Sequence, residues 1–214
     1  MIFEQIEAGG DRNFSYLIGD EESRACAVVD PGYDTSKVEA RVKALGLHVA
    51  YVINTHTHHD HVAGNGAFHK GEVKLAAHRE ASVNPDIPLE HGSVVEVGKQ
   101  RIEVLFTPGH YLDSICLLVN AQKLITGDTL FVGCIGGSGF RGSSSEKQFH
   151  SLFQVILALG DAVEVYPGHH YGPTPSSTIG HERAHNPFLQ RTDFGDFMWL
   201  KEHWDEYQAQ HGTP

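Results

Sequence analysis

Thr55-His56-Thr57-His58-His59-Asp60-His61 is the stretch that decides how this chain is read. Residues 49–54 before it are β-branched and aromatic and end at Asn54, which predicts a strand feeding a firmly mounted loop. His56 and His58, one residue apart, can turn to one metal ion, while Asp60-His61 can face a neighbouring position. Imidazole and carboxylate donors suit Zn, Fe or Mn. The bland alternative is a polar loop that happens to be rich in histidine. Against it, ligand-type residues recur after three further predicted strands. His110 follows Thr107-Pro108-Gly109 at the end of 102–106, Asp128 follows 124–126 and Gly127, and His169 follows Pro167-Gly168 after 162–166. Each alone has an ordinary turn explanation; together they describe one site.

The rest of the composition narrows the setting. A chain of 214 residues suits one domain, since chains of this size bury roughly 70% of their unfolded surface. Sixteen histidines stand out against ordinary apolar (40%) and charged (20%) fractions, and the isolated ones, His48, His69, His150, His203 and His211, read as surface residues. A formal net charge of -11 speaks against nucleic acid or an anionic membrane as partner, because either requires a cationic face. Residues 1–10 carry neither the basic nor the apolar part of a secretory signal, and no later run reaches transmembrane length. Cys26, Cys116 and Cys134 form no tight motif, which fits a reducing compartment. The expectation is a cytoplasmic protein.

Along the chain, strands are expected at 13–19, 25–29, 49–54, 73–76, 94–97, 102–106, 115–119, 124–126 and 162–166, each bounded by turn residues. A helix is expected at 35–45, with Val38, Val42 and Leu45 at helical spacing behind a Thr/Ser cap, and another around Phe149, Leu152, Phe153 and Ile156. The glycine- and serine-rich segment 133–145 is too long for a simple connector and is expected to serve the site. After Pro167 the chain reads as irregular until one terminal helix at about 193–210. Strands interleaved with helices suggest sheet packed on sheet with helices outside.

The four motifs, Thr55 to His61, Pro108-Gly109-His110, Gly127-Asp128-Thr129-Leu130-Phe131 and Gly168-His169-His170-Tyr171, resemble those of the metallo-β-lactamase-fold hydrolases, and within them the glyoxalase II (hydroxyacylglutathione hydrolase) group. Asn186-Pro187-Phe188-Leu189 resembles that family's segment near the C-terminus. The resemblance implies an α/β fold, a four-layer αβ/βα sandwich, as a single domain over 1–214 with 173–214 a short C-terminal extension. It implies two divalent metal ions, Zn first, with Fe or Mn as alternatives. His56, His58 and His110 would hold the first, Asp60, His61 and His169 the second, and Asp128 would bridge them. Asp60 and Asp128 would be the catalytic carboxylates, Asp60 orienting a hydroxide that the metal pair generates from water near neutral pH. Phe131, Arg141 and Tyr171 would contribute to the substrate wall.

The implied activity is hydrolysis of a small acyl thioester carried by glutathione or another thiol. The chain departs from the family where a glycine-cysteine-glycine-arginine run is replaced by Val132-Gly133-Cys134-Ile135-Gly136-Gly137; Arg141, Arg183 and Arg191 are candidates for the missing arginine. Two rivals stay open: a persulfide dioxygenase holding one iron through His56, His110 and Asp128, and a hydrolase of the same fold acting on another small ester or lactone. A metal-binding module without turnover fits less well, since seven donors on strand-end loops describe an open site rather than a closed structural one. Cys134 reads as a small packed residue rather than a nucleophile, and His59 as a surface residue.

Overall fold

Two six-stranded sheets lie face to face, and the side-chain period of two along their strands decides which residues fill the space between them. The structure is a computed structural model and describes residues 1–212. The first sheet takes β1 (Ile2–Glu7), β2 (Phe14–Gly19), β3 (Ala25–Val29), β4 (His48–Ile53), β5 (Lys74–His78) and β6 (Ile87–Leu89), in that order. The second takes β7 (Val94–Val97), β8 (Gln100–Phe106), β9 (Ile115–Val119), β10 (Lys123–Gly127), β11 (Glu164–Pro167) and β12 (Ser177–Thr178). Tyr16, Ile18, Ala27, Val29 and Ile53 meet Ile102, Val104, Ile115, Leu117 and Val119 in the central core. The intervening residues Leu17, Cys26, Val28 and Val52 face outward under α1 (Ser36–Ala44), and Leu105, Cys116 and Leu118 face the helices of the other side. Strands covered on both faces must be apolar throughout, which is why Ile115–Val119 carries no polar residue. The outcome is the four-layer αβ/βα sandwich.

The outer layer of the second sheet comprises α4 (Ser145–His150), a π-helical continuation over Ser151–Ile156, α5 (Ile179–His185), α6 (Phe194–Glu202) and α7 (Trp204–His211). The segment after 173 is less irregular than its prolines suggest: β12 joins the sheet, and Ile179, Phe188, Leu189, Phe197 and Leu200 are buried in its outer core. The expected single terminal helix is two. His203 breaks it, leaving helical geometry at φ -115°, with its ring Nδ1 2.8 Å from the Trp199 carbonyl oxygen. At the start of α1 the capping bond also differs: Thr35 makes none to the backbone, and Asp34 accepts from the Ser36 N–H at 3.0 Å. No helix among the described residues is long and apolar enough to cross a membrane.

Strand direction positions the site. β3, β4 and β5 run parallel, as do β10 and β11, so their C-terminal ends gather at one edge of the sandwich. The two sheets are tied there by Ile115 N–H donating to the Thr55 carbonyl (2.8 Å) and Phe14 N–H donating to the Gly168 carbonyl (2.8 Å).

Candidate metal centre

β4 ends at Ile53, and the chain then turns through Asn54 to His58 before two short helices, α2 (His59–Val62) and α3 (Asn65–Phe68). That turn sends His56 and His58 to one side and, through α2, Asp60 and His61 to the other. His58 Nδ1 lies 3.0 Å from both His56 Nε2 and His110 Nε2. His61 Nε2 lies 3.2 Å from His169 Nε2, and Asp60 Oδ2 is 3.3 Å from that same nitrogen. The Asp128 carboxylate stands between the groups: Oδ2 is 4.0 Å from His56 Nε2, 3.5 Å from His110 Nε2 and 3.3 Å from His169 Nε2, while Oδ1 is 3.4 Å from His61 Nε2. All seven residues singled out in the sequence thus converge, as one set of His56, His58, His110 and Asp128 and a second of Asp60, His61 and His169.

The surroundings fix how these rings present themselves. His110 Nδ1 is 2.8 Å from the Gly137 carbonyl, and His169 Nδ1 is 2.8 Å from the Asp11 carbonyl. A carbonyl only accepts, so both Nδ1 atoms carry hydrogen, and either ring, when neutral, turns an Nε2 lone pair inward. His61 Nδ1 is held by Asp30 Oδ2 at 3.0 Å, and Asp30 also accepts from Thr55 N–H (2.7 Å) and Thr55 Oγ1 (2.6 Å). Asn13 Nδ2 donates to Asp60 Oδ2 at 2.8 Å, and Thr57 Oγ1 donates to Asp113 Oδ2 at 2.6 Å. Asp30, Asp11, Asn13 and Asp113 went unremarked in the sequence, where Asp30-Pro31-Gly32 reads only as a turn. Gly168 explains the tight strand end before His169, since a Cβ there would sit 2.3 Å from Asp128 Oδ1.

Electrostatics ask for positive charge at this point. Burial works against ionisation of Asp128, yet the neighbouring His61 charge and the His169 hydrogen bond hold its carboxyl well below the usual range. Asp60 is lowered likewise, burial being overcome by His169, His61 and Asn13. At His169 burial opposes protonation, but hydrogen bonds to Asp128 and Asp60 carry it up to about 9; His110 is pulled by burial down to about 4. Protons on His61 and His169 thus balance the carboxylates, and metal binding releases such protons. Two observations fit a cation better than hydrogen bonds alone. His58 Nδ1 faces two ring nitrogens and can donate to only one of them, and buried Asp128 Oδ1 makes no hydrogen bond.

A family model described as the metallo-beta-lactamase superfamily matches residues 8–169, a span that contains every one of these donors. The chain belongs to the metallo-beta-lactamase superfamily. Among its relatives in that superfamily, "Persulfide dioxygenase ETHE1, mitochondrial" of Bos taurus is 32% identical over 180 residues, covering 82% of this chain and 71% of that one. "Hydroxyacylglutathione hydrolase" of Polaromonas sp. is 36% identical over 179 residues, covering 80% and 67%. The crystal structure of ETHE1 from Myxococcus xanthus superposes with a TM-score of 0.89 at 30% identity, covering 100% of this chain and 97% of that one.

Two of the three residues expected at a substrate wall, Phe131 and Tyr171, lie beside the candidate centre. Tyr171 stacks on His169 (4.7 Å between centroids, 6° between planes), and Phe131 meets both edge-on at 5.8 and 5.0 Å. Segment 133–145 does reach the site, through Phe140, whose ring lies 5.1 Å from His58 and 5.3 Å from His110. Arg141 beside it is exposed and absent from the residues lining the pocket next to Tyr171. Arg183 is engaged with Asp161 and the Leu157 carbonyl. The arginine that lines this pocket is Arg12, which carried no sequence signal. Cys134 is largely buried, its thiol pushed up to about 12 by burial, which suits a packed residue and not a thiolate. His59 is exposed, its Nδ1 3.2 Å from the Tyr33 hydroxyl.

Proposed function

We propose that this chain is a dinuclear metallohydrolase cleaving a small acyl thioester. The observation that supports it most is the position of Asp128, whose carboxylate faces both donor sets. His56, His58 and His110 would hold one ion, Asp60, His61 and His169 the other, with Asp128 shared. Zinc is the first candidate, with Fe or Mn accepted by the same donors. Two divalent ions bound there supply a water acidified to near-neutral pKa and a polarised carbonyl.

The protein's own groups do the rest. Asp60 is only partly buried, its side chain 28% exposed, and its lowered carboxyl stays an acceptor at neutral pH. It can accept a hydrogen bond from the attacking water and so orient it, while Asn13 fixes Oδ2 in place. Asp30 and the Asp11 and Gly137 carbonyls keep His61, His169 and His110 in the ligating tautomer, the usual task of groups behind metal-bound histidines. Phe131, Phe140 and Tyr171 exclude bulk water from the edges. No serine or cysteine nucleophile is required.

A second reading, a persulfide dioxygenase with one iron on His56, His110 and Asp128, is favoured by full-length likeness to the Myxococcus xanthus ETHE1 structure. Metal content per chain, combined with assays of small acyl thioesters and of glutathione persulfide under oxygen, separates the two. Two ions per chain with thioester cleavage is the expected result; a single iron with oxygen uptake overturns it.

A further inference from the structure

Next to the centre lies a pocket of about 310 Å³, walled by Phe131 and Ile135 after β10, Tyr171 after β11, Trp204 and Gln208 of α7, and Arg12 from the β1–β2 turn. It begins one ring away from a proposed metal ligand, because Tyr171 lies flat against His169 and Phe131 stands edge-on to both. A substrate whose reacting carbonyl sits at the metals can send one of its two arms into this space.

Arg12 is held at the rim of the pocket by contacts that also build the centre. Its residue sits at φ 59°, and its carbonyl accepts the His170 N–H at 2.9 Å. Neighbouring Asp11 accepts from His169 Nδ1 with its carbonyl and from the Tyr171 hydroxyl (2.8 Å) with its carboxylate. The guanidinium carbon lies 4.8 Å from the Tyr171 ring centroid, so the cation rests on the ring that stacks on the ligand. Among the described residues lining the pocket Arg12 alone bears a full charge; the others give an apolar and aromatic wall with the Gln208 amide at its α7 side.

We propose that this pocket binds the thiol carrier of the substrate and that Arg12 selects carriers with a single carboxylate on an apolar body. The inference rests on the thioesterase reading of the centre. Glutathione is a poorer match: its ammonium could reach only the Asp11 carboxylate that already lies 3.8 Å from Arg12 Nε, and its second carboxylate would find no second cation among the described residues lining the pocket.

S-methyl-N-benzoylcysteine, an unreactive thioether with one carboxylate, and its neutral methyl ester are titrated into the metal-loaded protein, with Trp204 fluorescence as the signal. The acid should bind about two- to fivefold more tightly than the ester, the scale of a guanidinium–carboxylate pair whose arginine is more than half exposed. Arg12→Gln should erase that preference and Arg12→Lys keep part of it. For the matching S-acetyl thioesters, the acid-to-ester ratio of kcat/KM should fall by a similar factor in Arg12→Gln, through KM, whereas a merely structural role would lower both substrates together. Equal binding of acid and ester to the wild type, or S-methylglutathione binding as tightly as the acid, overturns the proposal. Selective binding without turnover of either thioester sinks the hydrolase reading and leaves the carboxylate site standing.

Discussion

Asp30→Asn tests how the second donor set is held. Asp30 lies at φ 48°, a left-handed conformation that asparagine tolerates, so the backbone should not move. Its Oδ1 accepts Thr55 N–H, while Oδ2 accepts both Thr55 Oγ1 and His61 Nδ1. Keeping the first contact puts the new amide NH₂ where Oδ2 was. Thr55 Oγ1 can rotate and accept, but the His61 Nδ1 hydrogen then faces a donor. The ring escapes by moving its proton to Nε2, the atom proposed to ligate. The metal affinity of the Asp60, His61 and His169 set should fall about 10- to 100-fold, the usual cost of losing a partner behind a metal-bound histidine, which is about 1.4–2.7 kcal/mol. The first set should weaken less, since His110 keeps its Gly137 partner. In the metal-free protein the lost charged hydrogen bond should cost about 2 kcal/mol, a fall in Tm of roughly 4–8 °C for a domain this size. Competition with a chromophoric chelator, with metal counted per chain after dialysis, measures the first effect and calorimetry the second. Wild-type affinity for both ions in a folded variant would refute the tautomer argument; equal loss from both sets would point to general disruption.

Three more outcomes follow from the same geometry. Asp128→Ala, which removes the carboxylate facing both sets, should lose metal as well as at least about 10³-fold in rate; a fully metallated, active variant would refute the shared role. His59→Ala should leave metal content and turnover close to wild type, because that ring is exposed and touches only Tyr33 among the described aromatic rings; a loss of metal would place it in the centre after all. Burial pulls the Lys201 ammonium from 10.5 down to about 8, so between those values the unfolded chain binds a proton the folded one has lost, and folding stability rises with pH. Lys201→Met should remove that rise, seen as a mutant–wild-type difference in urea midpoints that changes between about pH 7 and about pH 10; a constant difference would show that Lys201 does not titrate in that window.

The donors and the broad fold were legible because both rest on local chemistry. Ligand types cluster in one loop or follow a glycine at a strand end, and strands announce themselves by β-branched runs with abrupt turns; the seven donors and nine of the strands needed no tertiary information. β1 escaped because Ile2–Glu7 mixes charge into its alternation, as an edge strand half open to water can. β6 and β12 escaped because runs of three and two residues carry no pattern. His203 divides the terminal helix by a side-chain contact that helical spacing cannot reveal.

What the sequence determined by itself was that seven side chains able to ligate a metal follow strand ends, since the spacing of His56 to His61 and of each later glycine-bounded donor is written in the chain. Only the tertiary structure decided that they form two sets around Asp128, that Asp30 and the Asp11 and Gly137 carbonyls set their tautomers, and that Arg12 and Trp204 share a pocket with Tyr171. These pairings join residues up to 192 positions apart, from Arg12 to Trp204. The donor sets form because strands of like direction bring distant C-terminal ends to one edge of the sandwich, and the pocket forms because the β1–β2 turn and α7 pack beside that edge, which no local pattern encodes.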